Sequence, residues 1–102
     1  MTLRVFHASL LVLLVGFAAG AFAQDAAQTR LLAANCANCH GTDGRSQGGV
    51  PGLAGLPKPY IIQQMQDFKS GKRVATIMHQ LAKGYTDAEI DAMAGWFSTQ
   101  KN

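Results

Sequence analysis

The chain has 102 residues, 15% of them charged, with a formal net charge of +3. Such a length holds one small domain. The only close run of cations is Lys69, Lys72 and Arg73, a solvated helix end rather than the concentrated basic face that nucleic-acid binding needs.

At the N-terminus, Arg4 and His7 lead into the apolar run Ala8 to Phe17, and Ala21-Phe22-Ala23 follows. A short basic start, an apolar stretch and an A-x-A site describe a secretory signal peptide. The expected division is a signal peptide at 1–23 and a single domain at 24–102. An uncleaved anchor fits less well, because spanning a bilayer takes about 20 apolar residues and this run is shorter. The residue directly after the cleavage site is Gln24 rather than a cysteine, so no lipid attachment there and no membrane anchor on the cleaved domain are expected.

Asp25 is placed to cap a first helix, from Ala26 to Asn35 or Cys36. Leu31, Leu32 and the alanines give it a slim apolar face. It leads into Cys36-Ala37-Asn38-Cys39-His40, the spacing of a c-type haem attachment site. About one helical turn separates the two thiols, so both can face one edge of a porphyrin and add to its vinyl groups. His40 then stands where its imidazole can reach the iron as proximal ligand. A thioredoxin-like pair needs a preceding strand and a βαβ setting, and zinc wants four ligands in a tighter set. A plain disulfide leaves His40 without a role. One covalent haem c would also supply apolar mass that so small a chain lacks, coupling folding to attachment.

Between Gly41 and Gly55 stand six glycines, too many for a helix or a paired strand. Val50, Leu53 and Leu56 predict a loop packed on a core rather than a linker. Pro59 suits the first turn of a second helix, in which Tyr60, Ile61, Met65 and Phe68 recur at helical spacing and Gly71 is the stop. After a connector at 72–76, a short helix from Ile77 to Lys83 ends at Gly84. Thr86-Asp87-Ala88-Glu89 is a capping box, with Tyr85 and Ile90 as its hydrophobic staple. A last helix to Thr99 buries Ile90, Met93, Ala94, Trp96 and Phe97. No convincing strand is present. The fold class is all-α, with three to four helices around one attached haem.

An electron carrier benefits from two strong axial ligands. Met65 and Met93 lie inside apolar helical stripes and read as core filler. Met78 follows a connector, starts a short helix and lies far enough beyond His40 for the chain to circle a ring. His79 is the imidazole alternative, read more simply as an ordinary exposed histidine. Met/His ligation raises the potential relative to two histidines, which suits an acceptor of electrons from a flavin or sulfur donor.

Cys36 to Gly41, Val50-Pro51-Gly52-Leu53-Ala54-Gly55, Tyr60-Ile61, and Met78 before Leu81 to Ile90 together resemble a class I cytochrome c of the c553/c4-like group. The run from Met78 through Leu81-Ala82-Lys83-Gly84-Tyr85 is similar to the haem subunit of flavocytochrome c sulfide dehydrogenase. The resemblance implies thioether anchors at Cys36 and Cys39, proximal His40, distal Met78, and a Pro51 carbonyl that accepts a hydrogen bond from the proximal imidazole. It also implies periplasmic location, one-electron transfer without catalysis by this chain alone, and an FAD-containing sulfide dehydrogenase flavoprotein as partner. The alternatives are a free shuttle serving other redox proteins, and a haem-based sensor if Met78 is labile. One departure is Leu56, where the group often has Gln.

Overall fold

The computed structural model describes residues 25–102, so the expected signal peptide and its cleavage site lie outside the described residues. Among the described residues five α-helices follow one another: α1, whose described part is 25–34, α2 at Ala37–His40, α3 at Lys58–Ser70, α4 at Met78–Lys83 and α5 at Asp87–Ser98. No strand occurs among the described residues, which makes the all-α expectation correct. None of these helices is long and apolar enough to cross a membrane.

Helix α1 differs from expectation at Asp25 and at its C-terminal end. Asp25 is already helical rather than a cap, and its carbonyl accepts the Thr29 hydroxyl at 3.0 Å. The helix stops at residue 34, and Asn35 and Cys36 form a tight turn in which their N–H groups donate hydrogen bonds to the carbonyls of Leu32 and Ala33. Cys36 keeps right-handed backbone angles, so α2 resumes the helical course after that turn.

Pro59 lies in the first turn of α3, where its missing N–H costs nothing, and Gly71 ends the helix in the left-handed conformation, φ +79°. Ile61 takes the core stripe with Met65 and Phe68 half-buried beside it, while Tyr60, a helical step of about 100° away, is exposed. Helix α5 begins with the expected box. Thr86 Oγ1 accepts the Glu89 amide at 3.2 Å and Glu89 Oε2 accepts the Thr86 amide at 2.8 Å.

The core gathers Ala33 of α1, Ile61 of α3, and Ile90, Met93, Ala94 and Phe97 of α5. Leu32, Cys36, Leu53, Leu56, Met65, Tyr85 and Trp96 pack around it. Burying a side chain such as Ile90 contributes about 1.5–3 kcal/mol. Leu56, the departure noted in the sequence, is therefore an apolar filler. Helix α3 packs against both α4 and α5, and Lys69 joins α3 to the start of α5 by donating to the Tyr85 carbonyl at 2.6 Å.

Candidate haem-attachment site

The site begins at the turn between α1 and α2. The Cys36 carbonyl accepts the amides of Cys39 at 3.3 Å and His40 at 2.8 Å, which winds the pentapeptide into one helical turn. Cys36 packs half-buried against the core, and Cys39 is exposed. Burial pushes the Cys36 thiol up from its ordinary range, and neighbouring Cys39 adds to the effect. No cluster of three or more His, Cys, Asp or Glu side chains suited to a metal occurs among the described residues.

Gly41 then turns the chain sharply, with φ +83°. A Cβ there would lie 2.3 Å from the Arg45 carbonyl oxygen, so only glycine fits. Asp43 also has positive φ, at 54°, a conformation Asp tolerates better than most residues; its carboxylate accepts from Arg45 at 3.1 Å. The turn at Thr42–Gly44 reverses direction and starts the glycine-rich loop.

That loop is not a linker. The Gly44 carbonyl accepts amides from Leu53 at 2.8 Å and Ala54 at 3.2 Å, and the Gly55 amide donates to the Phe97 carbonyl at 3.0 Å. Pro51 is thereby held over α2, where its carbonyl oxygen lies 2.6 Å from His40 Nδ1. A carbonyl can only accept, so the imidazole proton is on Nδ1 and the lone pair on Nε2. This is the arrangement an imidazole needs to bind a metal through Nε2 with its ring held from behind.

Further along the chain, Arg73 draws the connector back onto α3. Its amide donates to the Asp67 carbonyl at 3.0 Å, its guanidinium lies 4.7 Å from the Phe68 ring centroid, and it donates to Gln64. The connector thus delivers Met78 to the first position of α4. Met93 is buried in the core and Met65 packs against it, whereas Met78 belongs to neither set. His79 is half-buried rather than exposed, with an enclosed Nδ1 that has no hydrogen-bond partner.

These residues fit a covalently attached haem. Two thiols stand one turn apart, a nitrogen is oriented by the backbone, and a thioether is left over from the core. Val50, Tyr60, Ile77 and Leu81 add exposed apolar side chains of the kind a porphyrin can cover. The residues of the sequence pointed to Cys36, Cys39, His40 and Met78, and the family resemblance added Pro51; neither carried a signal for Gly44 or Arg73, whose contacts depend on partners brought together by folding.

The chain matches the family model described as Cytochrome c over residues 25–101. It is 45% identical over 67 residues to the cytochrome subunit of sulfide dehydrogenase from Chlorobaculum tepidum, covering 66% of this chain and 61% of that protein. It is 44% identical over 61 residues to a thiosulfate dehydrogenase electron acceptor from Stutzerimonas stutzeri, covering 58% of this chain and 28% of the relative. Among solved structures, cytochrome c4 of Acidithiobacillus ferrooxidans aligns with a TM-score of 0.61 and 45% identity, over 63% of this chain and 37% of that one. The chain thus spans less than two thirds of each of these three relatives.

Proposed function

Because the chain belongs to the cytochrome c family, whose members carry covalently bound haem c and transfer electrons, we propose that Cys36 and Cys39 anchor that haem and that His40 and Met78 are its axial ligands. The single observation that carries the assignment is the 2.6 Å hydrogen bond from His40 Nδ1 to the Pro51 carbonyl, made one residue after the second thiol. The haem, when bound, supplies a one-electron iron couple. The chain's own residues do the rest. Pro51 holds the His40 ring and raises its basicity, and the Met78 thioether favours the reduced state relative to a second imidazole. Two protein ligands keep the coordination fixed, so this chain carries electrons and does not itself transform a substrate.

The physiological role that follows is the electron-accepting cytochrome subunit of a flavocytochrome c sulfide dehydrogenase, with an FAD-containing partner that passes electrons singly to this haem. Support comes from the similarity to the Chlorobaculum tepidum subunit and from the Met78-to-Tyr85 run. In this reading residues 1–23 direct export and residues 24–102 work as one domain in the periplasm. The second reading is a free acceptor serving another dehydrogenase, favoured by the similarity to the thiosulfate dehydrogenase electron acceptor.

Affinity capture from native periplasm, with flavin and haem spectra of the captured material, separates the two. A flavin spectrum that co-elutes with the haem and reduces it on sulfide addition supports the subunit. Haem captured without flavin, and not reduced by sulfide, supports the free acceptor.

A further inference from the structure

The hydrogen bonds behind His40 form a closed ring. His40 is bonded covalently to Gly41, whose carbonyl accepts the Gly44 amide at 3.0 Å. The Gly44 carbonyl accepts the Leu53 amide at 2.8 Å and the Ala54 amide at 3.2 Å. Two residues back from Leu53, the Pro51 carbonyl returns to His40 Nδ1. Gly44 is the member on which the ring turns, because its one carbonyl carries both amides that set the height of the Pro51 loop.

Gly44 is also buried and tightly enclosed. Its φ of +79° lies in the left-handed region, and a Cβ built there would stand 2.9 Å from the Ala54 nitrogen, 2.9 Å from Phe97 Cδ1 and 3.0 Å from Leu53 Cβ. Two of these three neighbours belong to the segment whose amides Gly44 binds. The third belongs to α5, whose Phe97 carbonyl also holds Gly55. A side chain at position 44 would therefore push the loop off its own anchor.

We propose that Gly44 is a positioning residue for the His40 imidazole: by allowing the Leu53–Ala54 segment to close on its carbonyl, it sets the strength of the His40–Pro51 hydrogen bond. The inference rests on the reading of His40 as a haem ligand. A looser bond makes the imidazole a weaker donor, which destabilises the oxidised iron more than the reduced iron and raises the reduction potential.

Three single variants of the haem-loaded protein test this. Gly44→Ala opens the contact directly. Gly52→Ala presses on it more gently, because its Cβ would lie 3.3 Å from the Gly44 carbonyl oxygen and its φ is not in the left-handed region. Gly71→Ala is the control, since it has the same φ of +79° but no atom within 4 Å of the added Cβ. The readouts are solvent exchange of the His40 Nδ1 proton in the reduced protein, followed by nuclear magnetic resonance, and the reduction potential.

Gly44→Ala is expected to speed that exchange by about tenfold or more through easier local opening and to raise the potential. Gly52→Ala shifts both in the same direction by less, and Gly71→Ala leaves both unchanged. If Gly44→Ala does not fold, Gly52→Ala measured against Gly71→Ala decides the matter alone. Unchanged exchange and potential in the folded variants overturn the role of Gly44 while leaving His40 as ligand. A wild-type protein whose spectrum shows no histidine ligation overturns the underlying reading instead.

Discussion

The Nδ1 of His40 lies 2.6 Å from the carbonyl oxygen of Pro51, eleven residues further along the chain. The acceptor is backbone, so the bond does not depend on the Pro51 side chain. Pro51→Ala should therefore keep both the haem and the His40 contact. Its cost is the loss of a stiff ring that restricts the unfolded chain, about 0.4–1 kcal/mol. Denaturant unfolding of the variant gives that number, and persistence of the protected His40 Nδ1 proton checks the contact.

Met78→Ala should abolish the methionine-to-iron charge-transfer band of the oxidised protein, lower the potential and let carbon monoxide bind rapidly to the reduced form. Met93→Ala should keep the band, and its buried site predicts a stability loss of about 2–5 kcal/mol. Met65→Ala should also keep the band, with a smaller loss because that side chain is half-buried. A band that survives Met78→Ala refutes the distal assignment.

Thr86→Ala removes the acceptor for the Glu89 amide and leaves the first turn of α5 uncapped. The expected cost is about 0.5–2 kcal/mol. It should appear as a lower denaturant midpoint with the haem spectrum intact, because the cap bonds join Thr86 and Glu89 to each other and not to His40 or Pro51.

Asp87 gives the acid limb of stability a definite sign. The hydrogen bond from Gln66 at 2.9 Å, then the hydrogen bond and charge of Lys69 at 3.4 Å, hold its carboxyl below the usual carboxylate range. A depressed folded value means the contribution is fully present above the unfolded value of about 3.9 and is lost as pH falls through the folded one. Asp87→Asn should flatten the stability profile below about pH 4 relative to wild type. The group is fully exposed to solvent, so added salt should shrink the difference.

Local signals in the sequence were good guides where neighbours in the chain do the work. The Thr86–Glu89 box, Pro59 and Gly71 specify their helix ends within a few residues of backbone, and the structure places them accordingly. The spacing of Cys36, Cys39 and His40 likewise needs only one helical turn. Other features depend on distant chain. The break at Asn35–Cys36 has no glycine or proline to announce it. Tyr60 and Ile61 are neighbours with similar apolar character, and only packing against α5 selects Ile61 for the core. His79 is half-buried, although its sequence neighbours suggest a surface position. Gly44 looks like any of six glycines in its stretch until Leu53, Ala54 and Phe97 close around it. Arg73 reads as one of three surface cations, yet it fastens the segment that leads to Met78.

The most direct measurement is the mass of the peptide spanning Cys36 to His40, released by protease from the native protein after treatment with an alkylating reagent. The account predicts one haem added to that peptide and neither cysteine alkylated. An unmodified peptide mass, with both Cys36 and Cys39 carrying the alkyl label, would contradict it.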